Sequence, residues 1–197
     1  PKDLQYQLAV IIAKDKSSNT KKIENLYLKL FKKLNGGRLQ AINLANTFSR
    51  HEMFRKALDV YILSEKINPK NSFGIQKAQL FSKIGEVELM LKEYLNEMEK
   101  NPKKKQMVTS QIQKFLDNDG IKSDKNYNLV KKLLLLKVRA ELERKDFTEM
   151  LIWLFMQNHQ FKMALIQAKS LDKRTNSDGE EVYNLAEYFL DKEYFEL

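Results

Sequence analysis

The sequence contains no cysteine, and this absence excludes several kinds of chemistry. Without thiols the chain can form no disulfide framework, no thiolate nucleophile and no sulfur-ligated metal site. It also carries no cysteine-based signal of redox compartment, so cytoplasmic and periplasmic locations are both compatible with it. Only three Pro and six Gly occur among 197 residues. Because these residues supply most β-turns and flexible linkers, their scarcity favours a mostly helical body.

Long hydrophobic runs are missing as well. The apolar stretches Leu133–Leu136 and Leu151–Met156 are far shorter than the ~20 residues that a membrane-spanning helix needs. The first residues, Pro1–Leu4, include neither an initiator Met nor the basic-then-apolar order of a secretory signal. We therefore expect no transmembrane helix, and we expect the chain to be a segment or a mature form of a longer protein.

The charge balance is basic, with 35 Lys and Arg against 26 Asp and Glu and a net charge of +9. A surplus of this kind is typical of proteins that meet nucleic acid, an anionic membrane surface or an acidic protein, but also of a solvated lysine-rich surface. The charges are spread along the chain, which favours the solvated surface. Acidic residues accumulate only in residues 178–197, which hold seven Asp and Glu and one Lys.

Two stretches of the chain repeat each other at a shift of 33 residues. Within each stretch the matching residues recur at helical spacing, and a proline closes each copy where a helix must stop. A helix-turn-helix unit has therefore been copied, and the apolar periodicity along the chain predicts about eleven helices. The matching pairs are Ala45 and Ala78, Phe48 and Phe81, Phe54 and Val87, Tyr61 and Tyr94, and Pro69 and Pro102.

Further copies follow in the second half of the chain. Phe155, Phe161, Ala164, Ala168 and Leu171 have the same spacing. A later set reproduces Leu44, Ala45, Phe48 and Phe54 at a constant shift of 141; it consists of Leu185, Ala186, Phe189 and Phe195. We expect one array over residues 1–197, organised as divergent N-terminal helices at 1–37, clear repeats at 38–70 and 71–102, a degenerate repeat at 103–145, a repeat at 146–177 and a truncated repeat at 178–197.

The residues Ala45, Phe48, Phe54, Ala57, Tyr61 and Pro69 resemble the small, aromatic, aromatic, small, aromatic and proline signature of the tetratricopeptide repeat family. The second copy departs from the signature at Met90, where a small residue would be usual. The resemblance implies an all-α fold in which helical hairpins form a right-handed α-α superhelix. It also implies a fragment of a longer, bacterial multi-repeat protein whose role is to bind other proteins.

Motifs that would support catalysis or metal binding are incomplete. His51–Arg55 begins like a zinc-protease motif but has Arg55 in place of the second histidine. Asp117–Gly120 resembles a calcium loop without its closing glutamate, and Gly36–Arg38 lacks the Lys and Ser or Thr of a phosphate-binding loop. The neighbouring carboxylates Glu97 and Glu99 are not in an apolar setting that would separate their pKa values. We expect no enzyme activity, no cofactor and no metal.

The resemblance also indicates where a partner would bind, because the first helices of successive repeats line the concave groove in this family. Asn46 matches an asparagine that some family members use to hold a C-terminal carboxylate, but Ile42 replaces their first lysine, which argues against such a clamp. Trp153 is either an exposed anchor or a packing residue of an apolar stretch. The expected groove residues are Ile42, Asn46, Ser49, Arg50, Ile75, Gln79, Lys83, Trp153, Met156 and Gln157.

Three functional hypotheses follow. The first is a scaffold that binds a peptide or helix of a partner protein in the groove. The second is a binder of nucleic acid or another polyanion, and its basic residues would be Lys103, Lys104, Lys105, Lys131, Lys132, Lys137, Arg139, Arg144 and Lys145. The third is a self-associating array, in which another copy contacts either the acidic end at residues 180–196 or the apolar residues Leu185 and Phe189, which are expected to be partly uncovered.

Overall fold

The computed structural model describes residues 4–15, 20–118 and 124–191. Every regular element within these ranges is a helix, so the predicted all-α class is confirmed. The right-handed superhelix stays a prediction. The described helices are α1 (Leu4–Asp15), α2 (Thr20–Phe31), α3 (Arg38–Arg50), α4 (Phe54–Ile67), α5 (Gly74–Lys83), α6 (Val87–Lys100), a 3₁₀ turn (Pro102–Lys104), α7 (Lys105–Asn118), α8 (Asp124–Ala140), α9 (Lys145–Gln157), α10 (Phe161–Thr175) and α11 (Glu180–Asp191).

The chain divides into two compact units, Pro1–Glu97 and Met98–Leu197, and their boundary falls inside α6. In the first unit α1 packs against α2 and α3, and α4 packs against α3 and α5. In the second unit α9 packs between α8 and α10, and α10 also packs against α11. Most of these contacts join helices that follow one another in sequence, as in a helical repeat.

The core of the first unit is built from the residues that define the repeat. Ala45 and Ala57 are fully buried where α3 and α4 meet. Their small side chains let the two helix backbones approach closely. Phe48 fills the space beside them and its ring lies 5.7 Å from that of Tyr27. Tyr61 is buried against Phe73 with ring centroids 4.7 Å apart. The sequence periodicity therefore reflects a continuous apolar interior.

The loop between α2 and α3 is fastened to the loop that follows α4. Gly36 has φ +74°, a left-handed conformation that favours glycine, and a Cβ atom there would lie 2.8 Å from Cγ2 of Ile67. The side-chain amide of Asn71 donates a hydrogen bond of 2.8 Å to the Gly36 carbonyl oxygen. Arg38 donates to the carbonyl oxygen of Ser72 at 3.0 Å. Glycine, asparagine and arginine together fix the spacing between successive helical hairpins.

In the second unit, α11 is held by a carboxylate from the preceding helix. Asp172 of α10 is buried and accepts hydrogen bonds from the hydroxyl of Ser177 at 2.6 Å and from the backbone amides of Glu181 at 3.1 Å and Val182 at 3.0 Å. Burial alone would raise the pKa of Asp172, but these three hydrogen bonds outweigh it and hold the pKa below its ordinary value. The carboxylate caps a helix whose first amides have no partner within the helix.

The expectation that Leu185 and Phe189 are partly uncovered is wrong. Both side chains are buried, and the Phe189 ring lies 5.4 Å from the ring of Phe161. They face α10, because residues four apart lie on one side of a helix. The exposed large hydrophobic residues of α11 are instead Tyr183, Tyr188 and Leu190.

Candidate partner-binding groove

A groove of about 700 Å³ lies on the first unit, between α3, α4 and α5. Helix α3 and the turn after it form one wall, α5 forms the other wall, and two aromatic residues of α4 contribute to the lining. Its volume is in the range of ligand sites in proteins. The lining residues are Asn46, Ser49, Arg50, Glu52, Phe54, Tyr61, Gln76, Gln79, Leu80 and Lys83.

The register of the two wall helices explains why polar side chains reach this groove. In α3 the side that carries Ala45 and Phe48 is buried in the core. Asn46 and Arg50, four residues apart, lie on another side and are exposed. In α5 the side chains of Gln79 and Lys83 repeat this spacing. Each helix therefore packs one side into the unit and presents amide and basic groups to the groove.

The structure brings together five of the ten residues predicted from the sequence, namely Asn46, Ser49, Arg50, Gln79 and Lys83. Ile42 is partly buried against the hydrophobic core, and Ile75 is half-buried; neither of them lines the groove. These two residues thus contribute to packing, as their apolar side chains favour. The role of the five assembled residues in binding stays a prediction.

Several lining residues were not predicted from the sequence. Gln76 precedes Gln79 by one helical turn, and that spacing could have identified it. Glu52 lies in the turn after α3 with φ 57°, so its position depends on a backbone conformation that no periodicity reveals. Phe54 and Tyr61 were assigned to the repeat signature, but both also contribute to the lining.

The hydrogen-bonding groups of the groove are largely unused. Within the part of the chain that the structure describes, the side chains of Asn46, Gln76, Gln79 and Lys83 have no hydrogen-bond or ion-pair partner. Arg50 donates one hydrogen bond of 3.3 Å to the Thr47 hydroxyl; a guanidinium has five N–H groups, so most of its donors stay available. These side chains can bind a ligand without first breaking internal contacts.

The electrostatic character of the groove is weakly positive. Arg50 and Lys83 supply two cations, and Glu52 supplies the one carboxylate among the lining residues. Burial raises the pKa of Tyr61 above its ordinary value of 10.0, although the charge of Arg38 opposes the shift. The phenol therefore keeps its proton at neutral pH. The groove combines cations, neutral amides and an aromatic edge.

The predicted residues of α9 lie in the second unit and do not form a joint site there. Gln157 lines a smaller depression of about 250 Å³ together with Tyr127 and Asn158. Trp153 and Met156 are half-buried and do not line this depression. Trp153 is thus neither a fully exposed anchor nor a fully buried packing residue.

Many of the basic residues assigned to a polyanion site are paired with carboxylates. Lys137 binds Glu99 with Nζ 2.5 Å from Oε2, Lys105 binds Glu149, and Arg144 binds Asp146. Arg144 also donates to the backbone carbonyl oxygens of Met98 at 3.3 Å and Glu99 at 2.7 Å, with its guanidinium 4.7 Å from the Phe147 ring centroid. This cluster of charges around Arg144 fastens the ends of α6 and α8 to the start of α9.

Two carboxyl groups of the Arg144 cluster interact directly. The hydrogen bond with Glu141 is the main cause that lowers the pKa of Glu99, helped by Lys137 and opposed by burial. The same hydrogen bond raises the pKa of Glu141 above its ordinary value. No sequence pattern indicates this pair, because its members are 42 residues apart. Neither carboxyl group lines the groove, so this pair is part of an ion cluster that joins helices.

The remaining surfaces offer few other chemical sites. Within the described ranges, no group of three or more His, Asp or Glu residues is arranged to hold a metal ion. None of the helices in those ranges is both long and apolar enough to cross a membrane. No protein-family model matches the chain, and no curated protein is significantly similar to it in sequence. Its function is therefore inferred from the geometry and chemistry of its own surfaces.

Proposed function

We propose that this chain is a protein-interaction scaffold that binds an extended segment of a partner protein in the groove between α3 and α5. The observation that carries the proposal is the set of unpaired amide and basic side chains on both walls. An extended peptide has backbone N–H and C=O groups that need partners when water is displaced. Asn and Gln each offer a donor and an acceptor, so they can pair with such a backbone.

The architecture supports this role. The repeat-defining residues Ala45, Phe48, Ala57 and Tyr61 are buried between neighbouring helices, which favours assignment to tetratricopeptide-like repeats. Arrays of such units bury their core between stacked helices and leave long surfaces for partners. We assign the chain no catalytic role, because among the described residues Glu52, the one carboxylate of the groove, has no hydrogen bond to a candidate nucleophile.

The ion pairs of the second unit argue against the hypothesis that all of its basic residues bind nucleic acid. Lys105, Lys137 and Arg144 are already neutralised by carboxylates. A polyanion that bound them would have to displace these carboxylates, and that exchange lowers the gain from releasing counterions. The same cluster therefore supports a structural role for these three residues.

The test is a selection of peptides from a random displayed library against the intact chain, followed by calorimetric titration of the selected peptides. We expect Asn46→Ala combined with Gln79→Ala to weaken binding at least about tenfold, since each lost hydrogen bond in a closed site contributes roughly 1 kcal/mol. The matched control removes two exposed amides outside the groove, Asn25→Ala with Asn43→Ala, and should leave the affinity unchanged.

Two results would overturn the proposal. The first is a selection that enriches no peptide. The second is a set of peptides that the groove variant and the control variant bind equally well. Circular dichroism of both variants distinguishes a lost contact from a lost fold.

A further inference from the structure

The outer sides of α8 and α10 both carry exposed basic and aliphatic residues. In α8, Lys132, Leu136 and Arg139 are exposed at helical spacing, and Leu136 is 52% exposed. In α10, Ile166, Lys169 and Lys173 are also exposed at helical spacing, and Ile166 is 55% exposed. These six residues are here called the basic-aliphatic face. On both helices they lie opposite the buried residues, because their spacing keeps them on one side.

The two helices belong to the second unit. Both pack against α9. Near the start of α8 the hydroxyl of Tyr127 donates a hydrogen bond of 2.9 Å to the side-chain oxygen of Gln160, the residue directly before α10. The starts of α8 and α10 are therefore held together, and the basic-aliphatic face belongs to one compact unit.

The charges of this face are not compensated. Within the described residues, Lys132, Arg139, Lys169 and Lys173 have no carboxylate partner, in contrast to Arg144 and Lys137. The only acidic residues in α8 and α10 are Asp124, at the start of α8, and Asp172, which is buried and caps α11. The face therefore attracts anions, and nothing within either helix neutralises it.

The shape of the face distinguishes among anionic partners. Its depression of about 330 Å³ is lined by residues of α8 alone, including Lys132, Leu136 and Arg139. A depression on one helix lacks the second wall that encloses a peptide helix. The exposed residues are aliphatic and basic, so they provide no aromatic platform on which nucleic-acid bases would stack. Aliphatic side chains surrounded by cations are typical of surfaces that enter the headgroup region of an anionic bilayer.

We propose that the basic-aliphatic face docks the chain on an anionic phospholipid surface. The cations bind the headgroups, and Leu136 and Ile166 enter the boundary between headgroups and acyl chains. The chain then lies on the membrane without crossing it. The groove between α3 and α5 is a different surface, so membrane docking does not depend on the scaffold role.

The test is co-sedimentation of the intact chain with vesicles of phosphatidylcholine alone or with about one third phosphatidylglycerol, at low and high salt. We expect binding only to the anionic vesicles, and we expect salt to weaken it. Lys132→Glu, Arg139→Glu and Lys169→Glu together should lower the partition coefficient about a hundredfold or more. The control Lys29→Glu, Lys66→Glu and Lys70→Glu reverses three exposed lysines of the first unit and should retain most of the binding.

A second variant separates insertion from simple charge attraction. Leu136→Ser with Ile166→Ser should weaken vesicle binding several-fold, because apolar burial is lost, while leaving binding to a poly-dT oligonucleotide unchanged. Absence of binding to anionic vesicles would overturn the proposal, and so would equal losses in the two charge-reversal variants. Binding to the oligonucleotide but not to vesicles would overturn it in favour of nucleic acid.

Discussion

The groove between α3 and α5 and the Arg144 cluster both contain polar and charged side chains. In the groove most of these side chains lack a partner among the described residues, whereas in the cluster they are paired. In the groove, Gln79 and Lys83 have no partner among the described residues. In the cluster, the guanidinium of Arg144 contacts two carboxylates, two backbone carbonyls and a ring. Polar groups that are already paired hold helices together, whereas unpaired groups on folded walls are available for a ligand. Composition alone does not distinguish the two states.

Helix α5 carries a paired lysine and an unpaired lysine on different sides. Its Lys83 is exposed in the groove, whereas Lys77 is buried between Glu65 at 2.8 Å and Glu93 at 3.1 Å. Glu65 also accepts a hydrogen bond of 2.7 Å from the backbone amide of Phe73. Burial alone would lower the pKa of Lys77, but the two glutamates more than offset it, so its pKa lies above the ordinary value of 10.5. One lysine is structural and the other is available.

The largest effect is expected for Lys77→Met. Removing the ammonium leaves two half-buried carboxylates facing each other, and breaking such a pair costs about 3 kcal/mol in free energy of unfolding. Urea denaturation at neutral pH measures the change. The matched control is Lys83→Met on the same helix, which should change stability by less than about 0.5 kcal/mol. If both substitutions have equal effects, the ion triad does not stabilise the fold.

The pH dependence of the Lys77 contribution follows from the direction of its pKa. A lysine whose pKa is higher in the folded state stabilises fully below its unfolded value, and this stabilisation is lost as the pH rises through the folded pKa. The destabilisation by Lys77→Met should therefore be constant near neutral pH and become smaller above about pH 10.

A smaller loss in free energy of unfolding is expected for Arg144→Met. This side chain is 23% exposed, so solvent screens its charge more than that of Lys77, and we expect a loss of about 2 kcal/mol from its hydrogen bonds to the carbonyls and carboxylates. Lys145→Met is the control, because Lys145 is 69% exposed and lies 4.0 Å from Glu149. Peptide binding in the groove should be the same in both variants, since neither residue contributes to it.

The capping carboxylate adds a pH-dependent effect. Asp172→Ala should cost about 1 kcal/mol at neutral pH, a usual value for the loss of a helix cap. Because the pKa of Asp172 is lowered in the folded state, its contribution is present above the unfolded value of 3.8 and is lost as the pH falls through the folded pKa. Urea midpoints from pH 7 to pH 2 measure this, with exposed Asp191→Ala as control. A penalty that persists at the lowest pH would contradict the assignment.

The smallest effect on stability is expected in the groove itself. Asn46→Ala and Gln79→Ala each remove a side chain without an internal hydrogen bond, so the free energy of unfolding should change by less than about 0.5 kcal/mol. Thermal unfolding of the two variants gives the value. A loss above about 1 kcal/mol would mean that the groove amides support the fold, and the contrast with the Arg144 cluster would then disappear.

The helices were predictable because their signals are local. Apolar residues at helical spacing, closed by Pro69 or by Asn35 and Gly36, set helix positions without knowledge of the fold. The periodic tyrosine also occurs in α2, before the first clear repeat. Tyr27, Tyr61 and Tyr94 recur at intervals of 34 and 33 residues and are all buried, so α2 shares the aromatic position of the two clear repeats.

The pairing of charges could not be predicted in the same way. Arg144 donates to the backbone carbonyl oxygen of Glu99, 45 residues away in sequence, and which acceptor it reaches depends on the rotation of several helices. Half of the groove residues were predicted because the exposed side of a helix follows from its buried side. Ile42 packs partly against the core, and its role in binding stays a prediction. The position of Glu52 depends on a left-handed turn.

The carboxylate of Asp172 also links the formation of one helix to that of another. A short helix is costly to start because several residues must be ordered before its first hydrogen bonds form. The backbone amides of Glu181 and Val182 find their acceptor on α10, so the first turn of α11 gains these two hydrogen bonds only when α10 is folded beside it. The stability of α11 is thus coupled to that of α10, and we expect the two helices to open together.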